Sequence, residues 1–246
     1  MNEIIYGIHA VQALLKRDPS RLKNIYILQG HSNERLLLIT KQLKKLGIII
    51  QLTSRYWMDR YSKNAVHQGI IAQVKPNRQY QENDLNIIIS QTISPFLLIL
   101  DRITDPHNLG ACLRSAEAAG IDAVIIPKKK SAQLNATAKK VACGAAENIP
   151  LIRVTNLART LHQLKRHDIW IIGAAGEAQH TLYDSKLTGA IALVMGAEDK
   201  GMRRLTMEHC DELMRIPIAG MVSFLNVSVA AGVCLFEAVR QRRLYS

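Results

Sequence analysis

Three short segments concentrate groups able to bind or transform a ligand. The first is Asp101-Arg102-Ile103-Thr104-Asp105-Pro106-His107-Asn108, which mixes carboxylates, cations, an imidazole and an amide. The second is Gly196-Ala197-Glu198-Asp199-Lys200-Gly201, where two glycines flank acidic and basic side chains. The third is Pro217-Ile218-Ala219-Gly220-Met221-Val222-Ser223. Any one of them alone is adequately explained as a turn. Together they offer glycine-flanked backbone, carboxylates, amides and cations, enough to line a polar cleft. Arg114 adds a guanidinium fork suited to a phosphate or a carboxylate, although a solvated helix arginine is the commoner case. His107 fits either a general base or a loop-ordering residue. Lys128-Lys129-Lys130 suits a solvated loop and RNA phosphate contacts equally well.

Spacing excludes several familiar chemistries. Gly196 and Gly201 have the gap of a nucleotide phosphate-binding loop, but Met202-Arg203 follows in place of Lys-Ser/Thr. No GxGxxG opens a helix and no GxSxG forms a nucleophile elbow. Cys112, Cys143, Cys210 and Cys234 are widely spaced, which predicts buried reduced thiols and no zinc or other metal site.

These segments are positioned by an alternation of apolar strands and helices. Phe96–Leu100 is a continuous apolar run, as in a parallel strand buried on both faces. Further strands are expected at Ala123–Pro127, Leu151–Val154, Ile169–Gly173, Ala190–Met195 and Leu213–Ile216, with helices between most of them, including Asn156–Arg166. The pattern is α/β with a mostly parallel sheet, and ligands of such sheets bind beyond the carboxyl ends of the strands. Asn108 is the expected N-cap of a helix over Leu109–Ala119, with Gly120 as its stop and Leu109, Cys112, Leu113 and Ala116 as its apolar stripe. Arg114 lies off that stripe. Asn226–Glu237 is expected as a buried helix, with Ala230, Ala231 and Gly232 allowing close approach of another element. Arg240–Arg243 places positive charge at its C-terminal end, where the helix dipole favours it.

The amino-terminal part predicts a smaller α/β module of about seventy residues, near the lower size limit for independent folding. Helices are expected at Gly7–Arg17 and 33–46, and strands at Asn24–Leu28, Ile48–Leu52 and Gly69–Val74. The polar stretch Lys75–Glu82 predicts a linker, with a short helix over Asp84–Gln91. The resulting division is a module over 1–74, a linker over 75–92 and a main domain over 93–246.

The 246 residues carry a net charge of +12, which favours a polyanionic partner through counterion release. Aromatic residues are only 5%, which argues against stacking of single-stranded bases as the main binding device. No apolar run is long enough to span a bilayer, and no strongly amphipathic basic helix suggests membrane attachment. The start, Met1–Gly7, lacks a signal peptide's pattern, so the chain is expected in the cytoplasm.

Asn108-Leu-Gly-Ala-Cys-Leu-Arg114, Val194-Met-Gly-Ala-Glu-Asp-Lys-Gly-Met202, and Ile216-Pro-Ile-Ala-Gly220 with Leu225-Asn-Val-Ser-Val-Ala230 resemble the three motifs of the SpoU/TrmH branch of the SPOUT RNA methyltransferases. Tyr6-Gly7-Ile8-His9-Ala10 and Val66-His67-Gln68-Gly69 are similar to parts of that branch's small substrate-binding domain, itself L30e-like. Within the branch, the stretch 131–147 is most similar to enzymes that methylate a guanosine ribose in the peptidyl-transferase P loop of 23S rRNA.

The resemblance implies a deep trefoil knot, a homodimer formed through the C-terminal domain, and S-adenosylmethionine as cofactor. It implies that backbone at Gly196, Ile216 and Leu225 holds the adenosine, and that Arg114, Asn108, Glu198 and Asn226 are the catalytic set. The implied substrate is 23S rRNA or a large-subunit assembly precursor, with a tRNA ribose as the alternative substrate. A non-catalytic RNA-binding or ribosome-assembly factor is the alternative class. The family usually has serine where Phe224 stands, with Ser223 one place earlier, and a phenyl ring cannot donate the serine's hydrogen bond. Arg102 and Asp199 also occupy positions often filled by smaller residues.

Overall fold

The computed structural model describes residues 3–30, 34–75, 80–198 and 200–244. The chain divides into two compact units, residues 1–78 and 79–246.

In the first unit, strands β1 (Glu3–Tyr6), β2 (Leu22–Leu28), β3 (Ile49–Thr53) and β4 (Ile70–Val74) form a sheet in the order β1-β4-β2-β3. Only the β2–β3 pair is parallel. Helices α1 (Ile8–Arg17) and α2 (Glu34–Lys45) cover one face, where Val11, Ile25, Ile39, Leu43 and Ile70 form the core. A third helix, α3 (Arg55–Tyr61), has no counterpart among the sequence-based expectations. Its brevity and aromatic content hide it from periodicity, while Ser54 caps it by accepting from Trp57 N at 3.3 Å. The first position of the expected 33–46 helix lies outside the described residues, as do 76–79 of the expected linker.

The second unit opens with α4 (Asp84–Ser90), whose Leu85 and Ile89 are buried in its core. Glu82 accepts from Thr155 N at 3.3 Å and Arg159 Nη2 at 3.1 Å. Residues 80–92, expected as part of a linker, therefore fold with this unit. There follow β5 (Phe96–Leu100), α5 (Pro106–Ala118), β6 (Ala123–Pro127), α6 (Ala136–Val141), α7 (Ala145–Asn148), β7 (Leu151–Val154), α8 (Leu157–Lys165) and β8 (Trp170–Ala174). After these come β9 (His180–Thr181), β10 (Ile191–Met195), α9 (Arg204–Glu208), β11 (Glu212–Arg215) and α10 (Val227–Leu244). The sheet order is β7-β6-β5-β10-β8-β11-β9 and every pairing is parallel.

The central strands are apolar throughout because both faces are covered. Leu98 and Leu100 enter one core with Leu109, Leu113 and Leu235, while Leu97 and Ile99 enter another with Ile152 and Leu161. Gly110 lets α5 and α6 meet, since a Cβ there would stand 2.5 Å from Ala138 O. At Gly232, the glycine expected to serve that purpose, a Cβ would meet Ser115 Oγ at an ordinary 3.7 Å.

Three expectations need correction. Asp105, not Asn108, caps α5, accepting from His107 N at 2.9 Å, and Pro106 occupies the first turn where its missing N–H costs nothing. α10 buries Ala231, Cys234, Leu235 and Ala238 on one face but leaves Val229 and Phe236 half exposed on another. Cys143 is exposed, whereas burial pushes the thiols of Cys112 and Cys234 up to about 12. Among the described residues, no helix is long and apolar enough to cross a membrane.

Candidate active site

β10 lies between β5 and β8, so the chain must cross over to place it there, and this switch in strand order opens a crevice at the carboxyl ends of the strands. The three chemistry-bearing loops emerge there, from β5, β10 and β11. Glu198 ties them together. Its Oε1 accepts from Asn108 Nδ2 at 3.1 Å, from Val227 N at 3.1 Å and from Asn226 Nδ2. Asn226 Nδ2 also donates to Asn108 Oδ1 at 3.0 Å, and Asn226 Oδ1 accepts from Ser228 N at 2.9 Å. With Asp105 as cap, Asn108 sits inside the first turn of α5 and its amide is free for this network. One carboxylate oxygen thus joins residues 90 and 28 positions away in sequence.

The second loop is closed on itself. Ala197 N donates to Gly201 O at 3.1 Å and Gly201 N to Ala197 O at 2.8 Å. Gly201 adopts φ of +59°, a left-handed conformation that glycine takes at little cost. A Cβ on Gly196 would stand 2.2 Å from both Gly201 C and Met202 N, so only glycine fits there. Asp199, at the tip, lies outside the described residues.

A second polar cluster was not anticipated. Asp101 is fully buried and accepts from Arg203 N at 3.0 Å, from Arg203 Nη2 at 2.8 Å and from Thr206 Oγ1 at 2.8 Å. It anchors the chain after Gly201 to the end of β5, which fixes the mouth of the crevice. The partners lie 102 and 105 residues away, and no local pattern marks them.

The crevice holds a cavity of about 320 Å³, within the range of small-ligand sites. Gly196, Ile216 and Leu225, the three expected cofactor-binding positions, all line it. Met195, Met214 and Ala230 give it apolar walls, Glu177 and Glu198 supply carboxylates, and Lys200 and Arg215 supply cations that suit a ligand carboxylate. Apolar walls suit an adenine ring, carboxylates suit a sulfonium or ammonium cation, and the crowded Gly196 shows a wall built of backbone. The donor set therefore fits S-adenosylmethionine. Ser223 and the exposed Phe224 stand side by side on the rim. Cys112, buried beside Glu198, is no nucleophile, because burial and that nearby charge together push its thiol up to about 12.

Six of the seven expected site residues therefore meet around one crevice: Asn108, Glu198, Asn226, Gly196, Ile216 and Leu225. Arg114 does not. It projects exposed from α5, lines no part of the cavity, and has no hydrogen-bond or ion-pair partner among the described residues.

Comparison with known proteins follows the same division. Residues 95–236 match the SpoU rRNA Methylase family, and residues 4–80 match the RNA 2'-O ribose methyltransferase substrate-binding family. The chain is 68% identical over 242 residues to 23S rRNA (guanosine-2'-O-)-methyltransferase RlmB of Photorhabdus laumondii, covering 98% of this chain and 99% of that protein. It is equally similar to RlmB of Escherichia coli K12, at 68% identity over 98% of this chain and all of the relative. Among solved structures, the SpoU methyltransferase AviRb from Streptomyces viridochromogenes, in complex with AdoMet, superposes with a TM-score of 0.76 at 20% identity, covering 100% of this chain and 92% of that one. This last likeness bears on the fold, the α/β knot of the SPOUT proteins.

Proposed function

The chain belongs to the SpoU rRNA Methylase family, and on that premise we propose that it methylates the 2′-hydroxyl of a guanosine ribose in 23S rRNA, using S-adenosylmethionine. It is an RNA 2′-O-ribose methyltransferase. The observation that carries this reading in the structure is the convergence of the second and third motif segments on one cavity, with the first tied to its wall through the Asn108–Glu198 hydrogen bond. Nucleoside mass spectrometry of 23S rRNA and tRNA from a deletion strain tests it: one 2′-O-methylguanosine is lost from 23S rRNA. Unchanged rRNA alongside an altered tRNA overturns it.

The bound cofactor supplies a methyl group already activated by the sulfonium charge. The chain's residues have three tasks. Gly196, Ile216 and Leu225 hold the adenosine part through backbone groups, which explains why no acidic ribose-binding residue is needed at a fixed spacing. Glu198 braces the loops: one of its oxygens accepts three N–H groups, so its role is positional and Asn108 and Asn226 share it. Arg114 binds a substrate phosphate and stabilises the negative charge that develops on the ribose oxygen as its proton leaves to solvent. Ser223, adjacent to Phe224 on the rim, supplies the hydroxyl that the family usually places one residue later.

The site is completed in a homodimer. The run 217–224 is exposed at every position, including Met221, Val222 and Phe224, and α10, which follows it, leaves Val229 and Phe236 half exposed. Exposed apolar side chains in such number suit an association site. A second copy seated there covers it, and the association provides the setting in which the solitary Arg114 meets a cleft. Sedimentation velocity gives a dimer for the native chain and a monomer for Phe236→Glu; a native monomer overturns this part.

A further inference from the structure

Beyond the cleft, the first unit carries a surface whose chemistry the methyl transfer does not use. The chain has only two tryptophans, seven tyrosines and three phenylalanines. Four of these twelve meet on and under α3. Trp57 and Tyr61, one turn apart, stack on each other with centroids 4.5 Å apart and planes 20° apart. Both lean on Tyr26 of β2, at 4.6 and 5.5 Å. With the fully buried Met58, this inner face roots a seven-residue helix that is too short to persist alone.

The outer face is different. Tyr56 is 71% exposed, and the Arg60 guanidinium lies 5.8 Å from its ring centroid. Arg55 and Lys63 flank them, both exposed. The acid in this helix, Asp59, is partly exposed and is engaged by the buried His67, whose Nε2 lies 3.0 Å from Asp59 Oδ1. The loop after α3 is held in an unusual conformation: Lys63, Asn64 and Gln68 have φ of 55°, 59° and 51°. Asn64 N donates to Asp59 O at 2.7 Å and Gly69 N to His67 Nδ1 at 3.1 Å, which fixes that geometry. Left-handed backbone at non-glycine residues is costly, and it concentrates where a surface must be presented in one shape.

We propose that the outer face of α3, with Tyr56 as platform and Arg55, Arg60 and Lys63 around it, binds an unpaired base and its flanking phosphates in the RNA substrate. This deepens the proposed function and rests on RNA being the substrate. The Tyr56 face that Arg60 does not cover stacks an unpaired base, the guanidinium over the other face strengthens the contact, and the cations meet the phosphates. The low aromatic content argues against stacking as the main binding device, and the proposal assigns it one local contact, on the helix that holds three of the chain's aromatic residues.

The test is steady-state methylation of a 23S rRNA transcript by the full chain, with S-adenosylmethionine affinity measured in parallel by calorimetry. Tyr56→Ala combined with Arg60→Ala raises KM for RNA roughly tenfold, the scale of one lost base–aromatic stack, while kcat and cofactor affinity hold. Tyr56→Phe keeps the wild-type KM because the π-face remains. Arg55→Ala and Lys63→Ala each lower the slope of log affinity against log salt by about one. An unchanged KM and salt slope in the double variant overturn the proposal, and so does a change confined to the sedimentation coefficient, which would make the face a contact between copies. If the wild-type chain fails to methylate the transcript, free RNA is not its substrate, and RNA affinity measured by fluorescence anisotropy then decides the role of α3.

Discussion

Around the cleft beyond β5, β10 and β11, the groups that hold the loops have protein partners: one oxygen of Glu198 serves three N–H groups, and buried Asp101 serves Arg203 and Thr206. On the outer face of α3, Tyr56, Arg55 and Lys63 stand in solvent, and the nearby acid is already engaged by His67. A pocket for a small ligand needs atoms fixed in advance, because every misplacement costs binding at the reacting centre. A surface for a long polyanion can spread its affinity over side chains that act nearly independently. Substitutions should therefore act all-or-none in the cleft and by degrees on α3.

Gly196→Ala is the sharpest way to break that contrast. Its methyl would stand 2.2 Å from backbone atoms, so the second loop cannot keep its path, and calorimetry should detect no S-adenosylmethionine binding. Retained binding at native affinity would show that backbone shape does not govern the pocket. Arg114→Ala comes next. Losing an electrostatic stabiliser lowers kcat by roughly 100- to 1,000-fold, while cofactor affinity and the dimer persist; near-native turnover would remove Arg114 from the reaction.

Asp101→Ala acts on the scaffold. It strips the partners from Arg203 and Thr206 at a cost of about 3 kcal/mol, kept moderate because Arg203 is 41% exposed and can reach water. A loss of that size lowers the Tm of the second unit by roughly 6–12 °C, and calorimetry showing no shift would mean the cluster is not an anchor. Phe224→Ser is the mildest, expected to change kcat by less than about threefold because Ser223 already stands beside it; a gain of tenfold or more would show that the aromatic ring limits turnover.

Much of this architecture was legible in the sequence. Six of the strands between Phe96 and Arg215 were expected from their apolar residues, since a parallel strand covered on both faces has no polar side to show, while the two-residue β9 (His180–Thr181) offered no such run. The three motif loops could be placed at the strand ends for the same reason. Helix α3 was not legible, because a seven-residue helix offers no period to read and its aromatic anchor, Tyr26, is about thirty residues upstream. The capping of α5 was misplaced by three residues because Asp105 and Asn108 are both good caps, and the choice between them fell to Pro106, whose fixed φ suits the first turn.

The sequence by itself determined the class of fold, the three chemistry-bearing loops, the family and the methyl donor, because motif order and strand–helix alternation are properties of the chain. Only the tertiary structure decided what those residues do for one another. Glu198 became a brace rather than a free carboxylate, Asp101 became an anchor, Arg114 was left alone on its helix, and Tyr26 was brought beneath the aromatic residues of α3. Each of these depends on which strand lies beside which. That is settled by burial and pairing between segments up to about a hundred residues apart, and no local pattern records it.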